Sequence, residues 1–288
     1  MGFSQRRMLT GALLMLVASV AAVFDAVVVK LIAGEVHPFE IVFFRNLFSM
    51  LALMLILRGG EWSLSGNGLW GYHIARAWLK LFALAAAFFA VAQLPLATAT
   101  AIAFTTPIFT VLGSILLLRE PAKIARLVGL VLGFLGVVVV VRPTSMALGI
   151  GAVLALASAV ALSAVMLLLK VSSSRDQGKR VVWLNLVIIV PTALALCLPF
   201  WSWPSLPALG LMALQGIGGL LAQLSVTKAL RLADASSLVV VDFVRLPLSL
   251  MLGMMLFAEP IDSGTLLGGG LILVALLLLL REARREPL

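Results

Sequence analysis

GALLMLVASVAAVFDAVVVK, Gly11 to Lys30, lies without a gap over GAVLALASAVALSAVMLLLK, Gly151 to Lys170, with seven identities at an offset of 140 residues. Each stretch is almost wholly apolar, ends in lysine, and has the roughly 20 residues that a helix needs to cross about 30 Å of hydrocarbon. A segment of membrane length that recurs half a chain later points to a duplicated unit that crosses the bilayer repeatedly.

Composition agrees. The chain is 62% hydrophobic and 11% charged, against the roughly 45–50% and 25% of soluble domains. Apolar runs recur from end to end with the charges gathered in the gaps between them. They predict ten spans, near 9–30, 38–57, 70–92, 96–118, 123–141, 147–169, 180–200, 207–228, 235–257 and 263–280. Backbone polar groups in lipid must be satisfied within the protein, and the ten-residue alternation of a barrel is missing, so the spans read as helices. The fold class expected is an all-α integral membrane protein.

The net charge of +9 reflects topology. With a cytoplasmic N-terminus, 17 of the 21 Lys and Arg fall at cytoplasmic ends, Lys30 and Arg142 flank the opposite side, and Arg45 and Arg245 lie within spans. This positive-inside bias places both termini in the cytoplasm. Basic residues spread over separate junctions make no nucleic-acid surface, and no nucleic-acid partner is expected. Arg6 and Arg7 before an apolar core resemble a twin-arginine export signal, but nine further spans make this the first membrane helix. Cys197 is the single cysteine, which excludes an intramolecular disulfide or a Cys-based metal site.

The duplication extends further. Arg119 to Arg142 lies over Ala258 to Arg281, sharing Glu-Pro near the start and Arg at the end at an offset of 139, and LPLATATA, Leu94 to Ala101, parallels LRLADASS, Leu230 to Ser237. Each half, 1–143 and 144–288, thus holds five helices. Five is odd, so the halves sit in the membrane in opposite orientations. The charges concur: Gly34 to Pro38 lacks Lys and Arg, whereas Ser172 to Arg180 carries three. Inverted repeats of this kind recur in secondary transporters, with substrate near the midplane between the halves.

The two-by-five arrangement resembles the drug/metabolite transporter superfamily, in the form with paired EamA-type domains. HPFEIVFFRNLF from His37, LPLATATAIAFTTPIFTVLGSILLLREP from Leu94 and the glycine-rich LVGLVLGFLGVVVVV from Leu127 carry the likeness over nearly the whole chain. Within the superfamily the chain is most similar to YddG-type bacterial inner-membrane amino-acid exporters. The resemblance implies export of aromatic and other neutral amino acids through a central cavity by alternating access, with the lipid bilayer as surroundings; a monomer is one reading of the assembly, which the sequence leaves open. Multidrug or other metabolite transport, and a non-transporting scaffold or enzyme, are the alternatives. The halves differ at two places that bear on any cavity: Leu184 stands where the first half has Arg45, and Arg245 stands near the position of Thr106.

Ionisable groups at membrane depth cost roughly 2.5–3.5 kcal/mol or more unless paired or hydrated, and so mark function by default. His73, Arg76 and Lys80, three and four apart, share one helix face, with Tyr72 beside it. Asp242 and Arg245 reach similar depth in the ninth span. Lys80 either snorkels to the headgroups or receives a substrate carboxylate. Asp25 and Arg45 read as a neutralising pair, with Asp25 as a proton acceptor in a coupled exchanger the other reading. Phe104 and Gln215 are candidates for a substrate side chain and amino group, with helix packing the alternative. Two histidines without carboxylates at ligand spacing suggest no metal, and no cofactor is expected. No span carries the paired carboxylates that hydrolytic chemistry requires, so no enzyme is expected. Trp201 and Trp203 read as boundary anchors.

Topology is directly testable. Tags or cysteine labels at Gly178 and Leu288 are expected to report the cytoplasm and one at Ser202 the opposite side; labelling of Gly178 from outside overturns the inverted arrangement.

Overall fold

The structure, a computed structural model, describes residues 3–56, 70–117, 119, 124–141, 149–172, 178–232, 241–242, 244–260 and 263–283. Among them are eleven α-helices and no strand. They are α1 (Phe3–Ile32), α2 (Pro38–Ile56), α3 (Trp70–Gln93), α4 (Leu96–Ala103), α5 (Thr106–Leu117) and α6 (Ile124–Val141) in the first half. The second half contributes α7 (Ile150–Ser172), α8 (Gly178–Cys197), α9 (Leu206–Leu232), α10 (Arg245–Phe257) and α11 (Ser263–Ala283). Seven segments are long and apolar enough to cross a membrane, with α4 and α5 counted together, and Val128–Val140, Arg245–Phe257 and Ser263–Ala275 are shorter apolar helices. The start of the expected ninth span, the Glu120–Pro121 turn and Arg142 lie outside the described residues.

The fourth span, expected as one helix over 96–118, is two. Pro107 has no N–H to return to the Ala103 carbonyl, which instead accepts from the Thr106 hydroxyl at 2.9 Å, and the N–H of Thr105 donates to Ile102 O at 2.9 Å in a tightened turn. Proline in a helix costs one backbone bond and crowds the preceding turn; here threonine hydroxyls make up the deficit.

Helices pair mostly across the halves: α1 with α9, α3 with α7, α2 with α8 and α9, α4 with α10, and α6 with α11. Exchanging the halves turns the α1–α9 pair into α7–α3 and leaves α2–α8, α4–α10 and α6–α11 in place. Lipid is as apolar as leucine, so apolar area alone does not bind helix to helix; close approach and polar contacts do. Between α6 and α11 the approach is glycine on glycine. A Cβ on Gly136 would stand 2.8 Å from Gly268 O, and one on Gly268 would stand 2.6 Å from Gly136 O.

At the end of the bundle holding the α1–α2 turn, Glu40 is fully buried and accepts from the N–H of Ser202 at 2.8 Å and of His37 at 3.1 Å, fastening α2 to the α8–α9 connection. Glu35 accepts from Ser205 N–H at 2.7 Å, and that bond holds its carboxyl below the usual carboxylate range. The two tryptophans divide their roles: Trp201 packs against Phe43 and Phe44, whereas Trp203 is 83% exposed, as a boundary anchor requires.

Gly136→Val tests the glycine contact. The added carbons have no space that backbone can yield, so an overpacking cost of about 1–3 kcal/mol is expected as a lower thermal midpoint in detergent, with Gly210→Val, where a Cβ meets nothing, as the neutral control.

Candidate functional site

A cavity of about 710 Å³ lies between the halves, walled by α1, α3, α4, α5 and α7 together with Asp242 and Arg245. Its walls are mainly apolar, with Leu84, Phe88, Val91, Phe104, Leu162 and Met166 among them. The hydroxyls along it are committed to backbone: Thr100 donates to Leu96 O at 2.8 Å, Thr110 to Thr106 O at 2.9 Å, and Ser158 to Ala83 O at 2.7 Å. A hydroxyl carries a single proton, so these side chains offer a ligand acceptor oxygens and no donor.

The charged lining is therefore the polar chemistry of the cavity. Arg245 Nε stands 2.6 Å from Asp242 Oδ1, and the Ser19 hydroxyl donates to the same oxygen at 2.7 Å. Arg245 opens α10, and the pairing with Asp242 follows from their i,i+3 spacing. Its side chain is 29% exposed, against 15% for Asp242, and both residues line the cavity. Asp25, also in the lining, accepts from Arg45 Nε at 2.8 Å, and Arg45 lies 6.0 Å from the Phe88 ring centroid. Each carboxylate has an arginine, so the cavity carries two internally neutral pairs, the condition under which charge survives at this depth.

The remaining expected residues lie elsewhere. Gln215 is 1% exposed; its Nε2 donates to Asp25 O at 3.1 Å, while its Oε1 meets no partner among the described residues. It braces α9 on the backbone of α1 behind the Asp25 pair. Lys80 donates to Gln223 Oε1 at 3.1 Å, again joining the halves. Arg45 and Arg76 are near enough for their charges to bear on it. His73 and Arg76 are each 5% exposed, on one face as their spacing predicts, whereas Tyr72 is 43% exposed. Of the expected residues, Phe104, Asp242, Arg245 and Asp25 line the cavity; Tyr72, His73, Arg76, Lys80, Gln215 and Arg45 are not among its described lining residues. Sequence reading passed over Ser19, which holds Asp242 from 223 residues away. Nothing local to Ser19 signals that contact. His37 stacks on Phe200 at 4.2 Å, and burial lowers its pKa against the opposing pull of Glu40.

Residues 9–142 match the EamA-like transporter family. A riboflavin transporter from Rhizobium johnstonii is 33% identical over 74% of this chain and 72% of its own length. The chain belongs to the EamA-like transporter family. A pseudopaline exporter, CntI, of Pseudomonas aeruginosa is 29% identical over 96% of this chain and 97% of its own. An S-adenosylmethionine uptake transporter of Rickettsia prowazekii is 23% identical over 96% and 95%. One crystal structure superposes on 98% of both chains with a TM-score of 0.62 at 18% identity, a likeness of fold. The chain is thus a multi-pass membrane protein of a transporter family. Its relatives carry different cargoes, and their names print both uptake and export.

Lys80→Met separates the two readings of that residue. Loss of the bond to Gln223 is expected to cost about 1 kcal/mol of stability with the half-saturating substrate concentration within about twofold of the parent; a rise of roughly tenfold to a hundredfold, the worth of a charge-assisted bond, assigns a substrate carboxylate to Lys80.

Proposed function

We propose that this EamA-family chain is an inner-membrane secondary transporter built as two inverted five-helix repeats, 1–143 and 144–288, with both termini cytoplasmic. It exports small zwitterionic metabolites, aromatic and other neutral amino acids among them, by alternating access around the cavity. The observation that carries this reading is the Asp242–Arg245 pair in the lining of a mainly apolar cavity that also holds Asp25.

A lone anion or cation brought beside a neutral pair leaves unpaired charge at a depth where that costs several kcal/mol. A zwitterion brings both signs. Its carboxylate takes the planar, bidentate donors of Arg245, its ammonium takes Asp242 or Asp25, and every charge remains paired. The side chain then falls on Phe88, Phe104 and their apolar neighbours, which accept aliphatic and aromatic groups alike. The volume lies within the roughly 300–1,000 Å³ of small-molecule sites and admits groups larger than an ordinary amino-acid side chain. Export is the direction that the likeness to amino-acid exporters implies, and the pseudopaline exporter shares it by name.

Flux of labelled leucine and phenylalanine in proteoliposomes, loaded first inside and then outside, tests cargo and direction together. Saturable, mutually competing flux is expected. Arg245→Gln should raise the half-saturating concentration about tenfold to a hundredfold with the folded fraction retained, and Arg245→Lys should recover part of the loss because a compact ammonium replaces a fork. Riboflavin bears neither ammonium nor carboxylate, so saturable riboflavin flux indifferent to Arg245→Gln would sink the zwitterion reading.

A further inference from the structure

Lys30 stands in the last turn of α1, and its Nζ donates to Leu94 O at 2.7 Å and to a carboxylate oxygen of Glu259. The other oxygen of Glu259 accepts the Leu96 N–H at 2.8 Å. Two side chains thereby join the ends of α1, α3 and α10 to the start of α4. These same elements wall the cavity a turn away on the same side: Ala26 lies four residues before Lys30, Val91 three before Leu94, and Ala99 three after Leu96, and all three are lining residues. At about 1.5 Å of rise per residue the cluster lies roughly 5 Å beyond the cavity wall.

From these contacts we infer that Lys30 and Glu259 are the gate at this end of the cavity, and that passage of substrate requires their separation. The inference rests on the transport reading of the cavity. The contact unites the halves, with Lys30 from one and Glu259 from the other, so movement of one half against the other must break it. Its bonds are made to ends of helices, where small rotations separate partners most. The side chains are 18% and 13% exposed, so neither partner is sealed in the core.

The fold shapes this contact with care. Ala258, with φ 50°, ends α10 in the left-handed region, a conformation that costs a residue with a Cβ, and so turns Glu259 back over the helix it follows. There its Oε2 occupies the space that a Cβ on Gly253 would take. Arg119, with φ 55°, is the other residue of this kind among the described ones and stands 139 positions earlier, at the matching place of the duplicated segment. In the sequence Lys170 likewise matches Lys30. A fixed structural clasp needs no counterpart, whereas an alternating machine needs one gate for each side.

Sided labelling of the full-length protein in right-side-out and inverted vesicles tests the gate without substrate. Ala26→Cys in a Cys197→Ala background reports access to the cavity by a membrane-impermeant maleimide. Lys30→Met and Glu259→Gln each remove the ion pair; Gly253→Ala keeps both charges and displaces Glu259. Each is expected to speed labelling from the gated side roughly tenfold, a population shift toward the state open there, and to leave the opposite side unchanged or slower. Exchange of the two residues, Lys30→Glu with Glu259→Lys, should return the rate toward the parent. Folding is checked by elution profile and thermal midpoint, and Gly253→Ala serves where the charge variants are poorly folded. Unchanged labelling in folded variants overturns the gate, as does labelling that rises equally from both sides. Neither result depends on which substrate is carried, so failure of the zwitterion reading leaves this test intact.

Discussion

Inside hydrocarbon, a polar group has no water to turn to and must find its partner in the protein. The contacts between the halves follow from this. Ser19 meets Asp242, Lys30 meets Glu259, Lys80 meets Gln223, Gln215 meets the carbonyl of Asp25, and Thr98 meets Thr265. Each joins one half to the other. Ser49 to Gly216 O, Ser158 to Ala83 O and Thr100 to Ser249 do the same. Since apolar side chains fare about as well against lipid as against one another, these bonds, with the glycine approach of α6 and α11, define how the halves sit. Any change in their relative position exchanges these bonds for others.

The constraint also explains how the fourth span can break. A helix interrupted at membrane depth exposes carbonyls, which is tolerated where neighbouring hydroxyls or a cavity satisfy them. At Phe104–Thr105 both conditions are met: Thr105 and Thr106 donate to the freed carbonyls of Ile102 and Ala103, and Phe104 and Thr106 face the cavity. The break delivers an aromatic ring and a bent backbone to the place where cargo is proposed to rest. α10 opens at Arg245, also in the lining, so cationic and aromatic groups reach the cavity from α10 and from the break in the fourth span.

What could be read in the sequence was what period and repetition encode. Membrane-length apolar runs, the offset of 139–140 and the i,i+3 spacing of Asp242 and Arg245 are all written locally or by self-similarity. The pairing of Asp25 with Arg45 could also be read, because equal depth on adjacent spans leaves two opposite charges little else to meet. Choices among long-range partners could not. Lys80 shares a helix face with Arg76 and His73, yet its own bond goes to Gln223 on α9, and no spacing rule links residues 143 apart. Lys30 read as one of two basic residues flanking the sparsely charged side. Only the recurrence of both lysine and Glu-Pro at matching positions hinted that it had a fixed partner. Pro107 was visible too, but whether a proline kinks or divides a span depends on which hydroxyls come within reach.

The likeness between the two halves of the sequence is uneven, and where it fails is informative. Left-handed elbows recur at Arg119 and Ala258, and the helix pairing maps onto itself when the halves are exchanged. Around the cavity the match dissolves: Arg45 corresponds to the buried Leu184, and Arg245 falls near the place of Thr106. A cargo with distinct ends, as proposed here, cannot present the same groups to two symmetric walls. A symmetric cavity would offer it two competing poses of equal energy. In the proposed mode of binding, Arg245 on one wall, without a basic counterpart at Thr106, selects one pose and spares the other wall an unpaired charge at membrane depth.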